Sequence, residues 1–158
     1  MSYLTNDREI YQETIRKNLN HQCHNGWKPL WSYFEMTQLL TYGFSITLLI
    51  KDKIVNRKLI YRYWNNESIN KISSDLYDLN SIIISEIELK IMLNDIFQIQ
   101  ELIKNEIDTV EFKGVVLDGY FKEFSEYYNN KKITWNIDEE MNSYLSTLIE
   151  KILSLKHT

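Results

Sequence analysis

The sequence predicts a mainly α-helical protein: one compact single domain over residues 1–158, folded as a bundle of about six or seven helices. Three observations predict this class. Two segments open with the residue pair of a helix-capping box, several segments repeat apolar residues every three or four positions, and the last segment carries an unbroken apolar stripe. Between residues 109 and 136 the pattern also allows one small β-hairpin.

The first predicted helix begins at a capping pair, Asn6 with Glu9, and covers residues 7–19. In such a pair each side chain accepts a hydrogen bond from a backbone N–H that the first helical turn leaves unpaired. A loop follows, and Gly26 is its turn residue.

Two helices are predicted next. The second helix begins at Pro29, which suits a first helical turn because its missing N–H has no partner there. It ends near Leu40 or continues to Lys53. The third covers residues 54–64, whose apolar side chains recur every four positions.

Two more helices are predicted before residue 108. Residues 69–79 follow a 3.6-residue period in their isoleucines and leucines. A second capping pair, Ser85 with Glu88, then opens the longest helix, whose apolar stripe ends at Ile107.

The last fifty residues mix strand and helix signals. Residues 110–114 alternate apolar and charged side chains, and residues 132–136 contain β-formers, so the two segments are predicted to pair as a hairpin. Asp118 is predicted to cap a short aromatic helix over residues 120–128. The last helix is predicted over residues 139–156.

Composition bounds the class of protein. The chain has 158 residues, no alanine and 21 isoleucines, as an AT-rich gene would encode, and this weakly favours the accessory genome. It has no apolar run near the 20 residues of a membrane span, no signal-peptide pattern and one cysteine. These features predict a cytoplasmic protein that does not enter a membrane.

Charge is unevenly distributed along the chain. Residues 1–66 hold nine Lys/Arg and five Asp/Glu, a net charge of +4, whereas residues 67–158 hold nine Lys and seventeen Asp/Glu, a net charge of −8. An acidic surface repels nucleic acid and attracts a basic protein. The same pattern also fits a solvated face on amphipathic helices.

The strongest candidate for metal chemistry is the group His21, Cys23 and His24. These residue types suit zinc, but a structural site needs four ligands and no second cysteine exists. A cysteine nucleophile needs a base brought from a distant segment, and neighbours in sequence rarely have that geometry. We therefore expect no metal, no cofactor and no catalytic residue, and we expect Cys23 to be dispensable.

Residues 51–64 interleave five cations with two tyrosines and a tryptophan. Single-strand nucleic-acid binders have this composition, since bases stack on rings while cations neutralise phosphates. A core helix with aromatic side chains inside and cations in water has the same composition. The sequence leaves both interpretations open.

The spacing of Arg16 and His21, Arg-x4-His, resembles the ribonuclease motif of the HEPN family of compact helical domains. The resemblance covers six residues. It implies that Arg16 binds an RNA phosphate and that His21 acts as acid or base. Lys17 stands where that family usually has a small polar residue, and the family motif usually lies deeper in the fold than a first helix.

The features together predict a protein-binding inhibitor of the immunity or antitoxin type rather than an enzyme. Its expected partner is a toxin with a basic surface, such as a nuclease, because an acidic inhibitor associates with such a surface by electrostatic steering. The alternative is an RNA-binding or HEPN-like RNA-cleaving helical domain. The residues expected to bind the partner are Glu101, Asp108, Glu111, Asp118, Tyr120, Glu123, Glu126 and Tyr127.

Overall fold

The computed structural model describes residues 3–20, 25–37, 42–65, 79–107, 120–127, 131–136 and 143–157. Three helices lie within these ranges: α1 (Tyr3–Leu19), α2 (Leu93–Ile107) and α3 (Ser143–Ser154). Six strands lie there as well: β1 (Lys28–Thr37), β2 (Tyr42–Lys51), β3 (Lys53–Asn65), β4 (Ser85–Leu89), β5 (Tyr120–Glu126) and β6 (Lys131–Asn136). Single 3₁₀ turns cover Leu79–Ser81 and Leu155–His157.

The strands form one antiparallel sheet in the order β4-β3-β2-β1-β5-β6. The first four strands are neighbours in sequence order, and β5 then pairs with the free side of β1. The prediction of a mainly α-helical bundle of six or seven helices is therefore wrong. The described residues are a mixed fold with a central sheet.

Helix α1 covers one face of the sheet. Its buried residues Tyr11, Ile15 and Leu19 pack against three residues of the strands, Phe34, Met36 and Trp64. The ring of Tyr11 meets that of Trp64 edge-on, with centroids 6.1 Å apart. The hydroxyl of Ser45 on β2 also donates to the backbone carbonyl of Leu19, so the end of α1 is fixed to the middle of the sheet.

Helices α2 and α3 cover the opposite face. Successive residues of a strand point to opposite sides, so Tyr33 faces these helices whereas Phe34 faces α1. The helices contribute fully or nearly fully buried aliphatic side chains: Ile96, Ile99, Ile103, Leu148, Ile149 and Ile152. Each contributes roughly 1.5–3 kcal/mol of transfer free energy.

Coverage of both faces explains why the central strands were predicted as helices. Residues 43–49 of β2 are all buried, so the strand has no exposed polar side to produce an alternating pattern. The second predicted helix, from Pro29 to Leu40 or Lys53, is in fact β1 and β2. The predicted helices over residues 54–64 and 120–128 are β3 and β5.

The second capping box is also wrong. Ser85 and Glu88 belong to β4, and the helix begins eight residues later at Leu93. The backbone N–H of Met92 donates to the Asp95 carboxylate over 3.2 Å, which is half of a capping box at the true start of α2.

Two helix predictions are confirmed and two segments lie mostly outside the described residues. The predicted helices over residues 7–19 and 139–156 correspond to α1 and α3, but α1 begins at Tyr3, so Asn6 lies inside the helix and the capping pair predicted there is wrong. The segments 69–79 and 110–114 fall almost entirely outside the described ranges. The predicted strand over residues 132–136 is β6, whose partner in the described structure is β5. No helix in the described ranges has the length and apolar character to cross a bilayer.

Candidate protein-binding surface

Exposed apolar side chains are concentrated where β4 leads into α2. Nine large hydrophobic side chains are exposed in the described part of the chain, and six of them lie between Leu79 and Phe97. Ile83 is 74% exposed, Met92 67% and Phe97 57%. Such a concentration is typical of protein-contact sites, whereas scattered exposed apolar residues are ordinary.

The chain path holds these side chains close together. Three residues separate Leu89 at the end of β4 from Leu93 at the start of α2, so the elements meet within about 15 Å of chain. Leu93 and Phe97 are four residues apart on α2 and so share one side of the helix. We name the exposed side chains of β4, of the residues that flank it and of α2 the β4–α2 surface, in which Glu86 and Glu88 lie on the face of the sheet opposite Ile87: Ile83, Glu86, Ile87, Glu88, Met92, Leu93, Phe97 and Glu101.

The charge of the β4–α2 surface is acidic. Glu86 and Glu88 are exposed on β4, and Glu101 is exposed on α2. Lys90 is the one basic residue between residues 83 and 101. Apolar side chains flanked by carboxylates suit a partner that offers apolar groups beside basic ones.

The helix that carries half of this surface is fixed to α3. Lys151 of α3 donates to Asp95 over 2.8 Å, and both side chains are partly buried. This hydrogen bond, assisted by the N–H of Met92, holds the pKa of Asp95 below its ordinary value of 3.8, although burial opposes the shift. Asp95 thus caps α2 and connects it to α3, and these contacts fix the helix that carries the exposed side chains of Leu93 and Phe97.

Two of the residues expected to bind a partner are instead buried within the sheet. Glu123 and Glu126 lie on β5, an interior strand between β1 and β6, and are only 6% and 3% exposed. Glu123 accepts a hydrogen bond from the Arg16 guanidinium of α1 over 2.6 Å. The Ser125 hydroxyl lies 3.5 Å from the other oxygen of Glu123. These contacts fix α1 to the sheet.

The remaining expected residues are scattered. Glu101 is exposed on α2 and is part of the β4–α2 surface. Tyr127 is 43% exposed just after β5, where its backbone N–H donates to the carbonyl of Leu30. Tyr120 is the first residue of β5, and its side chain is outside the described structure. Three residues fall outside the described ranges altogether: Asp108, Glu111 and Asp118.

The basic segment 51–64 forms the β2–β3 turn and most of β3. Arg57 donates to the backbone carbonyl of Ile91, and Arg62 donates to two carbonyls at the end of α1 and lies 3.6 Å from Glu86. Lys58 lies 4.6 Å from the centre of the Trp27 ring. These three cations therefore contact the chain's own groups.

The aromatic residues of the same strand are mostly structural. Trp64 is buried under α1, and Tyr61 stacks on Tyr63 with ring centroids 5.2 Å apart. The Lys156 ammonium lies 4.3 Å from the centre of the Phe44 ring and 5.1 Å from that of Tyr61. Burial, with the neighbouring Tyr63, raises the pKa of Tyr61, so its hydroxyl stays protonated at neutral pH.

The sequence contains a signal for the β4–α2 surface that the helix interpretation concealed. Residues 85–90 alternate polar or charged with apolar side chains, Ser-Glu-Ile-Glu-Leu-Lys, which is the pattern of a strand with one face in water. Assigning Ser85 and Glu88 to a capping box placed Ile87 within a helix. The exposure of Ile83, Met92 and Phe97 has no counterpart in the local sequence.

The candidate metal group His21, Cys23 and His24 lies outside the described residues. Within the described ranges, no three His, Cys, Asp or Glu side chains are grouped closely enough to hold a metal ion. Comparison with protein-family models, with curated proteins and with solved structures gives no match. What the β4–α2 surface binds is therefore inferred from its own side chains.

Proposed function

We propose that the chain is a cytoplasmic protein-binding inhibitor of the immunity or antitoxin type, and that its partner docks on the β4–α2 surface. One observation carries the proposal: six of the nine large apolar side chains exposed in the described residues lie between Leu79 and Phe97, and exposed carboxylates occur in the same stretch of chain at Glu86 and Glu88. Large apolar groups supply binding energy when a partner removes them from water, while the surrounding charges steer association and select the partner.

The partner is a toxin with a basic surface. A toxin that acts on nucleic acid needs cations where it grips phosphates, and Glu86, Glu88 and Glu101 complement such cations. An inhibitor that covers the cations blocks the toxin's access to its substrate. Of the residues first expected to bind, Glu101 is retained in this proposal, whereas Glu123 and Glu126 are buried on β5 and Glu123 pairs with Arg16.

The RNA-cleaving alternative receives less support from the contacts. That alternative places the Arg16 guanidinium on an RNA phosphate, yet this group is bound to the buried Glu123 carboxylate. A nucleic-acid surface on β3 would use Arg57 and Arg62, which donate to backbone carbonyls of their own chain.

The proposal is tested with Phe97→Ala in a bacterial growth-rescue assay, after the genes that flank this one have been screened for a toxin that the chain neutralises. Phe97 is 57% exposed on α2, so its removal leaves the fold intact and deletes an apolar contact. The matched control is Ile10→Ala on α1, whose side chain is 47% exposed. We expect Phe97→Ala to weaken the purified complex by roughly tenfold or more, as truncation of an interface hot spot does, and Ile10→Ala to leave it unchanged.

Salt gives a second measurement of the same complex. Association should slow as salt rises, because charges separated by more than about 8 Å are screened at physiological ionic strength. Equal effects of Phe97→Ala and Ile10→Ala would contradict docking on this surface. Tight RNA binding at about 150 mM salt, or RNA cleavage abolished by His21→Gln, would contradict the inhibitor itself.

A further inference from the structure

We propose that the partner adds a β-strand to the outer edge of β4, and that this strand alternates basic and apolar residues. The proposal deepens the proposed function and rests on the same surface. In this proposal the backbone edge of β4 pairs with the partner's strand, and apolar side chains of α2 add a supporting contact.

Strand β4 is an edge that remains accessible. It stands at the end of the sheet, and within the described structure β3 is its partner. Its backbone pairs in continuous register, from Ser85 opposite Tyr63 to Leu89 opposite Leu59. The backbone groups that point away from β3 match the groups of an incoming strand. The consecutive residues Glu86, Ile87 and Glu88 are all exposed, so little of this edge is covered.

In the described residues, the protection seen at this edge is charge. Natural edge strands are commonly blunted by a proline, a bulge, a covering loop or charged side chains. β4 contains no proline, and its pairing has no register shift, whereas the β1–β2 and β2–β3 pairings each have one. Within the described residues, β4 does carry negative charge, at Glu88 and at Glu86 beside Arg62. Negative charge rejects an acidic strand and accepts a basic one.

The side chains of β4 specify the pattern of the added strand. Glu86 and Glu88 point to one face of the sheet, while Ile87 points to the other, towards the side that α2 covers. Side chains of neighbouring strands align on each face. The incoming strand therefore places lysine or arginine beside the two glutamates and apolar residues beside Ile87.

A second copy of the chain fits this edge poorly. Symmetric antiparallel pairing of two β4 strands, centred on Glu86, Ile87 or Glu88, places at least one glutamate directly opposite another. Contacts between like charges disfavour pairing of two copies through β4.

The test uses synthetic peptides and the ¹⁵N-labelled full chain. The probe is a blocked heptapeptide in which lysine and valine alternate. A control peptide has the same four lysines and three valines in two blocks, and a second control replaces each lysine with glutamate. We expect the alternating peptide to bind at up to millimolar concentration and to slow hydrogen exchange of β4 amides by about tenfold or more. The two controls should do neither.

Charge reversal at Glu88 provides a matched variant. Glu88→Lys changes an exposed side chain, so the fold is retained, and it should weaken the lysine–valine peptide roughly fivefold or more and make the glutamate–valine peptide bind. Asp7→Lys, an equal charge change on exposed α1, should alter neither affinity. Equal binding of the alternating and block peptides, no binding at millimolar peptide, or unchanged exchange in β4 would overturn strand addition.

Sedimentation of the chain alone tests whether a second copy of the chain occupies the β4 edge. A dimer whose β4 amides are protected would overturn the proposal, since a second copy would then be the occupant of the edge. The peptide assay does not involve the toxin. If the peptide pairs with β4 but no partner depends on Phe97, the proposed function is wrong and the edge site is retained. If a partner depends on Phe97 but leaves hydrogen exchange of the β4 amides unchanged, only strand addition is wrong.

Discussion

The ion pair between Arg16 and Glu123 connects α1 to the interior strand β5, and replacing Arg16 should strongly destabilise the fold. The Arg16 side chain is 31% exposed and that of Glu123 is 8% exposed. Arg16→Met leaves the Glu123 carboxylate buried without its charged partner. Breaking a buried pair from one side costs about 3–5 kcal/mol, and the partial exposure of Arg16 places this case near 3 kcal/mol.

The free energy of unfolding is measured by urea denaturation, with thermal unfolding as a second readout. For a domain of this size, a loss of ~3 kcal/mol corresponds to a melting temperature lower by roughly 6–12 °C. Lys17→Met is the matched control, because Lys17 is the exposed neighbour of Arg16 on α1. We expect it to change stability by less than about 0.5 kcal/mol.

A double-mutant cycle isolates the pair itself. Glu123→Met combined with Arg16→Met removes both charges, so the double variant should be more stable than the sum of the single losses predicts, by about 1 kcal/mol or more. Additive losses, or an Arg16→Met loss no larger than that of Lys17→Met, would refute the structural role of the pair. The result bears on function as well, because the RNA-cleaving alternative predicts lost catalysis at Arg16 with stability retained.

Two further predictions concern the helical layer. Leu148→Ala should lower the free energy of unfolding by about 2–5 kcal/mol, because Leu148 is fully buried between α3 and the sheet; a loss below that range in urea denaturation would contradict this packing. Lys151→Met should raise the pKa of Asp95, whereas Lys104→Met, a control on α2 itself, should not. The pKa is measured by NMR of the Asp95 carboxyl carbon. Because the pKa of Asp95 is lowered in the folded state, its stabilisation is present above its ordinary value of 3.8 and is lost as pH falls through the folded value, and Lys151→Met should flatten this acid dependence.

The two helices predicted correctly are those with one buried side. Helix α1 buries Tyr11, Ile15 and Leu19, four residues apart, and leaves Lys17 and its neighbours in water. That contrast between sides produces the 3.6-residue pattern on which the prediction depended. Helix α3 was identified for the same reason, through Leu148, Ile152 and the polar residues between them.

The segment 54–64 was assigned to a helix because a spacing of four residues fits both a helix and one face of a strand. Val55, Leu59 and Tyr63 recur every four positions, which suits a helix, but residues four apart also share one face of a strand. The position that distinguishes a strand from a helix is the one two residues after Leu59. Tyr61 faces the same core as Leu59 and Tyr63, and a helix would have turned it away. The β-branched and aromatic composition of the segment favoured the strand.

For the candidate site, the sequence predicted that a negative charge is present but not which carboxylates are exposed. The net charge of −8 over residues 67–158 indicated an acidic surface, and Glu86, Glu88 and Glu101 do lie exposed. The sequence could not separate these carboxylates from Glu123 and Glu126, because that difference depends on which strand ends the sheet. Strand order results from pairing between distant segments, and the local pattern of a strand is similar at the centre and at the edge.

Strand order therefore determines both stability and recognition in this protein. On interior β5, the carboxylate of Glu123 must find a cation within its own chain, and Arg16 of α1 supplies it. On terminal β4, Glu88 lies in water beside exposed Ile87, and a cation from another protein can approach it. Exchanging charge at these two positions should consequently separate the two roles. Glu123 variants should lose stability in urea denaturation, whereas Glu88 variants should keep the fold and change the choice of partner.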